Sequence, residues 1–333
     1  MCAPLNLLTD IEGVAVGHAT DLGLGSGVTA VIFDRPAIAS GSVLGGAPGG
    51  REAALLDPSM TVDAVDAFVL SGGSAFGLDA AGGVQSGLRE IGRGFAVGSA
   101  RVPIVPQAIL MDLLNGGNKD WGLHSPYRDM GYQAFLSARL GSFELGTVGA
   151  GTGATTATVK GGIGSASAVT RSGHIVAALM AVNAMGSATM GEGPHFWAAP
   201  FEVGGEFGDL GIPEEFDTTM RLKGVTITAT TIGIVVTNAV LTKAQAHRLS
   251  IAGHDGLARA VVPAHLPFDG DTIFSAATGT RAVADPVALM EIFHLAAVVT
   301  TRAVARGVYE ATALPYAGAQ PSWRDRFSVV PKA

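Results

Sequence analysis

Cysteine is nearly absent from this chain. Cys2 is the only one in 333 residues, so no disulfide can form within the chain and stability must come from packing. Charge is sparse as well. Charged residues make up 15% and the net charge is −7, without the clustered Lys and Arg of a nucleic-acid partner. No uninterrupted apolar run approaches the ~18 residues of a membrane-spanning helix, so no membrane partner is expected. Met1-Cys2-Ala3-Pro4-Leu5-Asn6 has no basic region followed by an apolar stretch. No signal peptide is therefore read, and a cytoplasmic location is the expectation.

Nucleotide and metal motifs are missing too. Gly72-Gly73-Ser74-Ala75-Phe76-Gly77 lacks both the G-x-G-x-x-G spacing and the G-K-[ST] ending of phosphate loops. It also fails the G-x-S-x-G pattern, so Ser74 is not read as an elbow nucleophile. The eight histidines show no H-E-x-x-H or comparable spacing. No cofactor and no metal site are expected.

What remains is apolar and rich in glycine. Hydrophobic residues reach 48% and mean hydropathy is +0.38, ample for a large core. Glycine occurs 47 times, about twice its usual ~7% share, which suggests close backbone packing. Val14 to Val16, Gly27 to Phe33, Ala64 to Leu70, His174 to Asn183 and Phe274 to Thr278 read as strands. Phe76 to Ile91, Gly131 to Leu140, Lys243 to Val261 and Pro286 to Arg306 read as helices, and Val105 to Leu114 as strand or short helix. No linker divides these elements, so residues 1–333 are expected to form one α/β unit of stacked layers. Between Glu192 and Asp217 there are seven acidic residues and no Lys or Arg, which reads as an exposed loop.

The stretch Ala229-Thr230-Thr231-Ile232-Gly233-Ile234-Val235-Val236-Thr237-Asn238 carries the most information. Two threonines open a run of β-branched residues, the signature of a buried strand, directly after a long polar excursion. An N-terminal-nucleophile hydrolase carries its reactive hydroxyl at such a junction. It cuts its own chain there, and the new amine serves as base for that hydroxyl. A strand that simply begins with two threonines has the same pattern.

Other residues suit such chemistry. Asp269-Gly270-Asp271 points two carboxylates the same way if extended, to orient an amine and a hydroxyl, though D-G-D is also an ordinary surface turn. His265 beside them makes metal binding a third option for the pair. Lys160 lies among few other charges and could act as an electrophile or as a solvated loop lysine. Asn183 closes an apolar strand and could donate to an oxyanion or cap a turn.

Ordered blocks along nearly the whole chain resemble the DmpA-type family of L-aminopeptidase/D-esterase-amidases, β-peptidyl aminopeptidases and nylon-oligomer hydrolases. They are Thr9-Asp10-Ile11-Glu12-Gly13-Val14-Ala15-Val16-Gly17-His18, Gly46-Ala47-Pro48-Gly49-Gly50-Arg51-Glu52, the segment Leu70 to Ala81, Gly149 to Ala154, Ala181-Val182-Asn183, Thr230-Thr231-Ile232 and Phe268 to Thr272. The resemblance implies a four-layer αββα sandwich, self-cleavage into an α chain 1–229 and a β chain 230–333, and homo-oligomers of αβ units. It places the cut at Ala229–Thr230, with Thr230 as nucleophile in preference to Thr231. Lys160, Asn183, Asp269 and Asp271 fall on family active-site positions, and Ser74 and Phe76 on the substrate pocket. Phe76 stands where several members have Tyr, which removes a hydroxyl donor. Ala229 stands where Asn or Gly often precedes the cut. The substrate implied is a small peptide or amide, with β-amino and ω-amino acid amides among the candidates. Two alternatives stand beside this reading: an acyltransferase with the same nucleophile, like the ornithine acetyltransferases, and an uncleaved, non-catalytic binding scaffold.

Overall fold

A computed structural model describes residues 3–215, 217–224 and 229–327, so Cys2 lies outside the described residues. The strands are β1 (Val14–Asp21), β2 (Ser26–Val43), β3 (Gly50–Arg51), β4 (Ala64–Ser71), β5 (Phe95–Val97), β6 (Ala100–Val102), β7 (Gln107–Ile109), β8 (Ile163–Val169), β9 (Ile175–Ala181), β10 (Ile232–Ala239) and β11 (Thr272–Arg281). The helices are α1 (Ala80–Glu90), α2 (Tyr127–Ser137), α3 (Lys243–Ala260), α4 (Pro286–Tyr309) and α5 (Trp323–Phe327).

One long strand joins the two sheet layers. The first half of β2 pairs with β1 and β4, and its second half pairs with β11. Register slips between Ile32 and Ala37, where Asp34, Arg35 and Pro36 are exposed. Proline is tolerated in a sheet at such an irregularity. From β2 the order continues through β11, β10 and β9 to β8.

Side-chain alternation then sorts the residues into three apolar layers. On β10, Ile232, Ile234 and Val236 face one core while Val235 faces another. On β9, Ala177, Leu179 and Ala181 join the first of these cores, and Ala178 and Met180 join the second. On β2, Val31 and Phe33 enter the central core, and Val28 and Ala30 face α1 and α2. Leu249 and Leu257 of α3 and Ile292, Val299 and Val304 of α4 close the opposite face. The result is a four-layer αββα sandwich, with each buried Leu, Ile or Val contributing roughly 1.5–3 kcal/mol.

Local signals set the helix ends. Thr242 accepts from Gln245 N–H while the Gln245 side chain returns to Thr242 N–H, and Asp285 caps α4 just before Pro286. Glycine brings α1 and α2 into backbone contact: a Cβ on Gly83 would lie 2.0 Å from Arg128 O, and one on Gly131 2.0 Å from Ala80 O.

Several expectations need correction. The helix read over Phe76 to Ile91 begins as a 3₁₀ turn, Ser74–Asp79, and β8 was not anticipated within its glycine- and serine-rich stretch. Within α4, 24 residues long, an 18-residue window reaches a mean hydropathy of 1.6, long and apolar enough by composition to cross a membrane although charged residues interrupt it. The helix packs instead on α3, β8 and β9 as a core helix.

The acidic 192–217 stretch is also not simply solvated. Phe196 and Phe207 are buried against Trp323, which stacks on the Phe196 ring at 5.5 Å. The Glu206 side chain is 8% exposed and accepts from the Arg302 guanidinium at 2.5 and 2.9 Å. Glu192 pairs with Arg221 and Arg326. Aromatic anchoring and cations supplied from elsewhere in the chain override the local composition.

Candidate active site

Topology gathers the predicted residues at one edge of the sheet. β10 and β11 run parallel, so the residues entering both strands share an end, and antiparallel β9 exits at that same end. Thr230 enters β10, Asp269 to Asp271 enter β11 and Asn183 leaves β9. Lys160 precedes β8, whose Ile163 pairs with Ala181 at the same edge.

Backbone hydrogen bonds lock Thr230 between its neighbours. Its N–H donates to Asn183 O at 2.8 Å, and Thr272 N–H donates to Thr231 O at 3.1 Å. The Thr230 hydroxyl donates to Ala229 O at 2.6 Å, and Gly270 N–H donates to that same oxygen at 3.0 Å. The carbonyl preceding Thr230 thus carries its own hydroxyl and a backbone donor together. Gly270 is required here, because a Cβ would sit 2.5 Å from Thr230 Oγ1. Thr231 has no such arrangement: its buried hydroxyl lacks a hydrogen-bond partner among the described residues.

The two aspartates differ. Asp271 Oδ1 accepts from Thr231 N–H at 2.9 Å, and its Oδ2 accepts from His265 N–H at 3.0 Å and lies 2.9 Å from His265 Nδ1. Asp269 is 1% exposed; its Oδ2 accepts from Leu266 N–H and its Oδ1 has no partner among the described residues. Burial, reinforced by the Asp271 charge, pushes the Asp269 carboxyl up to about 6. Burial works against charge on His265, yet the Asp271 carboxylate outweighs it and holds the imidazole above its ordinary value.

Lys160 is buried, and Nζ donates to Gly151 O at 2.9 Å and Gly161 O at 2.7 Å, two of its three hydrogens. Burial and then the nearby Lys223 charge draw it down to about 7. The Asn183 side chain is held at both ends. Nδ2 donates to Met111 O at 3.1 Å, and Oδ1 accepts from Thr155 N–H at 3.0 Å and from Lys223 Nζ at 2.6 Å.

Ser74 and Phe76 lie on the 3₁₀ turn that follows β4. The 3₁₀ turn leaves Phe76 53% exposed with its ring edge-on to Trp121, and Ser74 N–H is held by Leu110 O. Neither residue takes part in the hydrogen bonds that reach Thr230. A cleft is lined by the segment after β7 together with residues 155–157, Lys223 and Gly224, and the stretch 317–320.

Two residues there were not read from the sequence. Asp112 is buried, accepting from Ser26 Oγ at 2.6 Å and Gly73 N–H at 2.7 Å, with Tyr127 OH donating to Ser26 Oγ at 3.0 Å. Burial raises its carboxyl above the usual range. Asp112 and Lys223 both line a cleft of about 380 Å³ together with Met111, Asn115 and Thr155. A lone carboxylate inside the apolar run 105–114 was the available signal for Asp112. Lys223, a cation just beyond an acidic stretch, was the signal for the other. Among the described residues no group of three or more His, Cys, Asp or Glu side chains is arranged to hold a metal ion, His265 included.

Comparison with known proteins agrees with this fold. The Ochrobactrum anthropi L-aminopeptidase D-Ala-esterase/amidase, described as a prototype of the serine aminopeptidases and a new variant of the Ntn hydrolase fold, superposes with a TM-score of 0.75. It is 18% identical, over 98% of this chain and 93% of that one. A Burkholderia sp. β-aminopeptidase gives a TM-score of 0.74 at 20% identity, over 98% and 92%. An uncharacterized aminopeptidase of Mycobacterium tuberculosis is 40% identical over 348 residues, covering 97% of this chain and 98% of the relative. The model of peptidase family S58 matches residues 6–320. The chain therefore belongs to peptidase family S58, as a hydrolase of the aminopeptidase type built on the Ntn-hydrolase fold.

Proposed function

We propose that the chain is an autoprocessing amidohydrolase whose nucleophile is Thr230, acting on small amides or peptides that carry a free amino group. The observation that supports it most is the Ala229 carbonyl oxygen held by both the Thr230 hydroxyl and Gly270 N–H. In the continuous chain, Thr230 Oγ adds to the Ala229 carbonyl carbon. Asp269, with its unpartnered Oδ1, takes the hydroxyl proton, and Gly270 N–H supports the developing oxyanion. The Ala229–Thr230 C–N bond breaks, the nitrogen gains that proton, and an ester joins Ala229 to Thr230 Oγ. Water then hydrolyses the ester, leaving a carboxylate on Ala229 and a free amine and hydroxyl on Thr230.

That amine, with an ordinary pKa of ~7.7–8.0, is substantially neutral near pH 8 and accepts the Thr230 proton when substrate is attacked. Asp269 and Asp271 position the amine and hydroxyl. In its ammonium form Lys160 has one hydrogen left to give, and with the second Nδ2 hydrogen of Asn183 it supports the substrate oxyanion. A single oxyanion donor is worth about 10²–10³ in rate.

Intact-mass measurement tests the assignment. Wild-type protein should resolve into two fragments split between Ala229 and Thr230, whereas Thr230→Ala should stay at 33.6 kDa and hydrolyse nothing. A cut, active Thr230→Ala protein overturns it.

A further inference from the structure

Both aspartates of the D-G-D pair are held from one turn, and His265 makes that turn. It lies between α3 and β11 with φ at 57°, in the left-handed region. A residue other than glycine is uncommon there, and such backbone collects at functional sites. The conformation aims two consecutive amides at the two carboxylates. His265 N–H donates to Asp271 Oδ2 at 3.0 Å, and Leu266 N–H donates to Asp269 Oδ2 at 3.1 Å. Successive N–H groups in a turn of this kind form a cradle for negative charge. Asp269 N–H returns to Leu266 O at 3.0 Å and closes the turn.

The His265 side chain adds a third donor. Its Nδ1 lies 2.9 Å from the same Asp271 Oδ2, and a carboxylate only accepts, so Nδ1 carries the hydrogen. Behind the ring stands His254, 1% exposed, whose own ring meets it edge-on at 4.8 Å. His254 is fixed in turn, because its Nε2 lies 3.0 Å from Ser42 O and donates to it. The His265 imidazole is thus clamped between a carboxylate and a second ring. From Asp271 the hold passes to the nucleophile. Oδ1 accepts at 2.9 Å from Thr231 N–H, the amide of the peptide bond that Thr230 itself forms.

We propose that His265 is a positioning residue for self-cleavage: its left-handed backbone sets the Asp269 carboxylate, and its Nδ1 donor, through Asp271, sets the peptide that follows Thr230. The proposal rests on the assignment above of Thr230 as nucleophile and Asp269 as base. His265 acts through the two aspartates, to which its own hydrogen bonds run. A reacting group misplaced by about 1 Å loses on the order of 10²-fold in rate, so a modest movement of this turn is measurable.

The test follows self-cleavage by intact mass, in chains made in a cell-free system and passed into buffers of about pH 5 to 8, the range over which a raised carboxyl titrates. Asparagine tolerates left-handed backbone and carries an N–H donor on Cγ, where histidine carries Nδ1. Valine is β-branched, disfavours that backbone and has no donor. His265→Val should cut at least about tenfold more slowly than the parent, and His265→Asn should recover to within about threefold of it. The pH midpoint is a second readout, which a loss of stability alone does not move. Asp269 is faced by the charged groups Asp271, His265 and Lys223, with Leu266 N–H as donor. Withdrawing that donor disfavours the carboxylate, so in His265→Val the midpoint should rise above the parent's value of about 6. Should His265→Val not fold, His265→Gly, which keeps the turn without the imidazole, is compared with His265→Asn for rate. His265→Val cutting at the parent's rate with an unmoved midpoint, or His265→Asn no faster than the Val or Gly variant, overturns the proposal. Thr230→Ala run beside them separates the two assignments. Its cleavage would remove the nucleophile, and the Asn and Val comparison would still decide whether His265 governs the cut.

Discussion

Two acidic regions flank the entry to β11, and they are built in opposite ways. On one side Asp271 spends both oxygens on Thr231 and His265, and His265 stands with its ring 4.8 Å from that of His254, a histidine whose burial holds it down to about 4. On the other, Asp269 keeps one oxygen unpartnered and faces Lys223 and, beyond it, Asp112. A carboxylate with both oxygens committed fixes backbone geometry. One that is buried, raised to about 6 and partly free is suited to moving a proton. The difference teaches that the D-G-D pair divides scaffold from chemistry although the two residues are neighbours.

Paired amide substitutions would break or sharpen that division. Asp269→Asn should slow self-cleavage by about 10²–10⁴-fold, the usual worth of a general base, with little change in melting temperature. In the parent protein, cleavage should rise with pH through about 6, because Asp269 must be ionised to accept the proton. The sign is that of a base whose carboxyl is raised: activity is lost as pH falls through that value. Asp271→Asn should act the other way round. One of its oxygens becomes an NH₂ group facing a donor from Thr231 or His265, costing about 1–3 kcal/mol per orphaned group, read as a lower melting temperature. A pH-independent cleavage rate between 5 and 7, or equal rate losses in both variants without a stability change, would erase the distinction.

Lysine 160 extends the comparison to stability. Its folded-state pKa is drawn down to about 7 from an ordinary 10.5, so between those values the unfolded chain binds the extra proton. Stability contributed through this group therefore rises with pH over that window and is lowest below about 7. The slope approaches about 1.4 kcal/mol per pH unit for one proton. Lys160→Met should flatten the melting temperature against pH between about 7 and 10, even though Gly151 and Gly161 lose a donor. An unchanged slope would mean that Lys160 is charged and solvated after all.

The legibility of the site follows from chain geometry. Thr230, Asn183 and the D-G-D pair each border a strand that a β-branched or apolar run announces, so those ends could be located from sequence, whereas Lys160 borders β8, whose glycine- and serine-rich stretch announces nothing. The parallel pairing of β10 with β11 then brought those ends together, which no local pattern states. Asp112 and Lys223 were harder, because each sits in irregular backbone and acquires meaning only from partners 39 to 111 residues away, Asn183 and Asp112 for Lys223, Ser26 and Gly73 for Asp112. The acidic stretch 192–217 misled for the same reason: Arg302 and Trp323, which neutralise and bury it, come from far along the chain.

Phe76 gives the smallest effect and the sharpest check on reading by position alone. Position in the family pattern placed it in the substrate pocket, short of a hydroxyl. The fold puts it on an exposed 3₁₀ turn, where 53% of it meets solvent and its ring leans on Trp121. A hydroxyl added there would point to water or to Trp121 rather than to the Ala229 carbonyl. Phe76→Tyr should accordingly leave kcat within about twofold, the range of a surface change of roughly 0.5 kcal/mol. A tenfold rise in kcat would return this residue to the oxyanion site and demand that the turn rearrange when substrate binds.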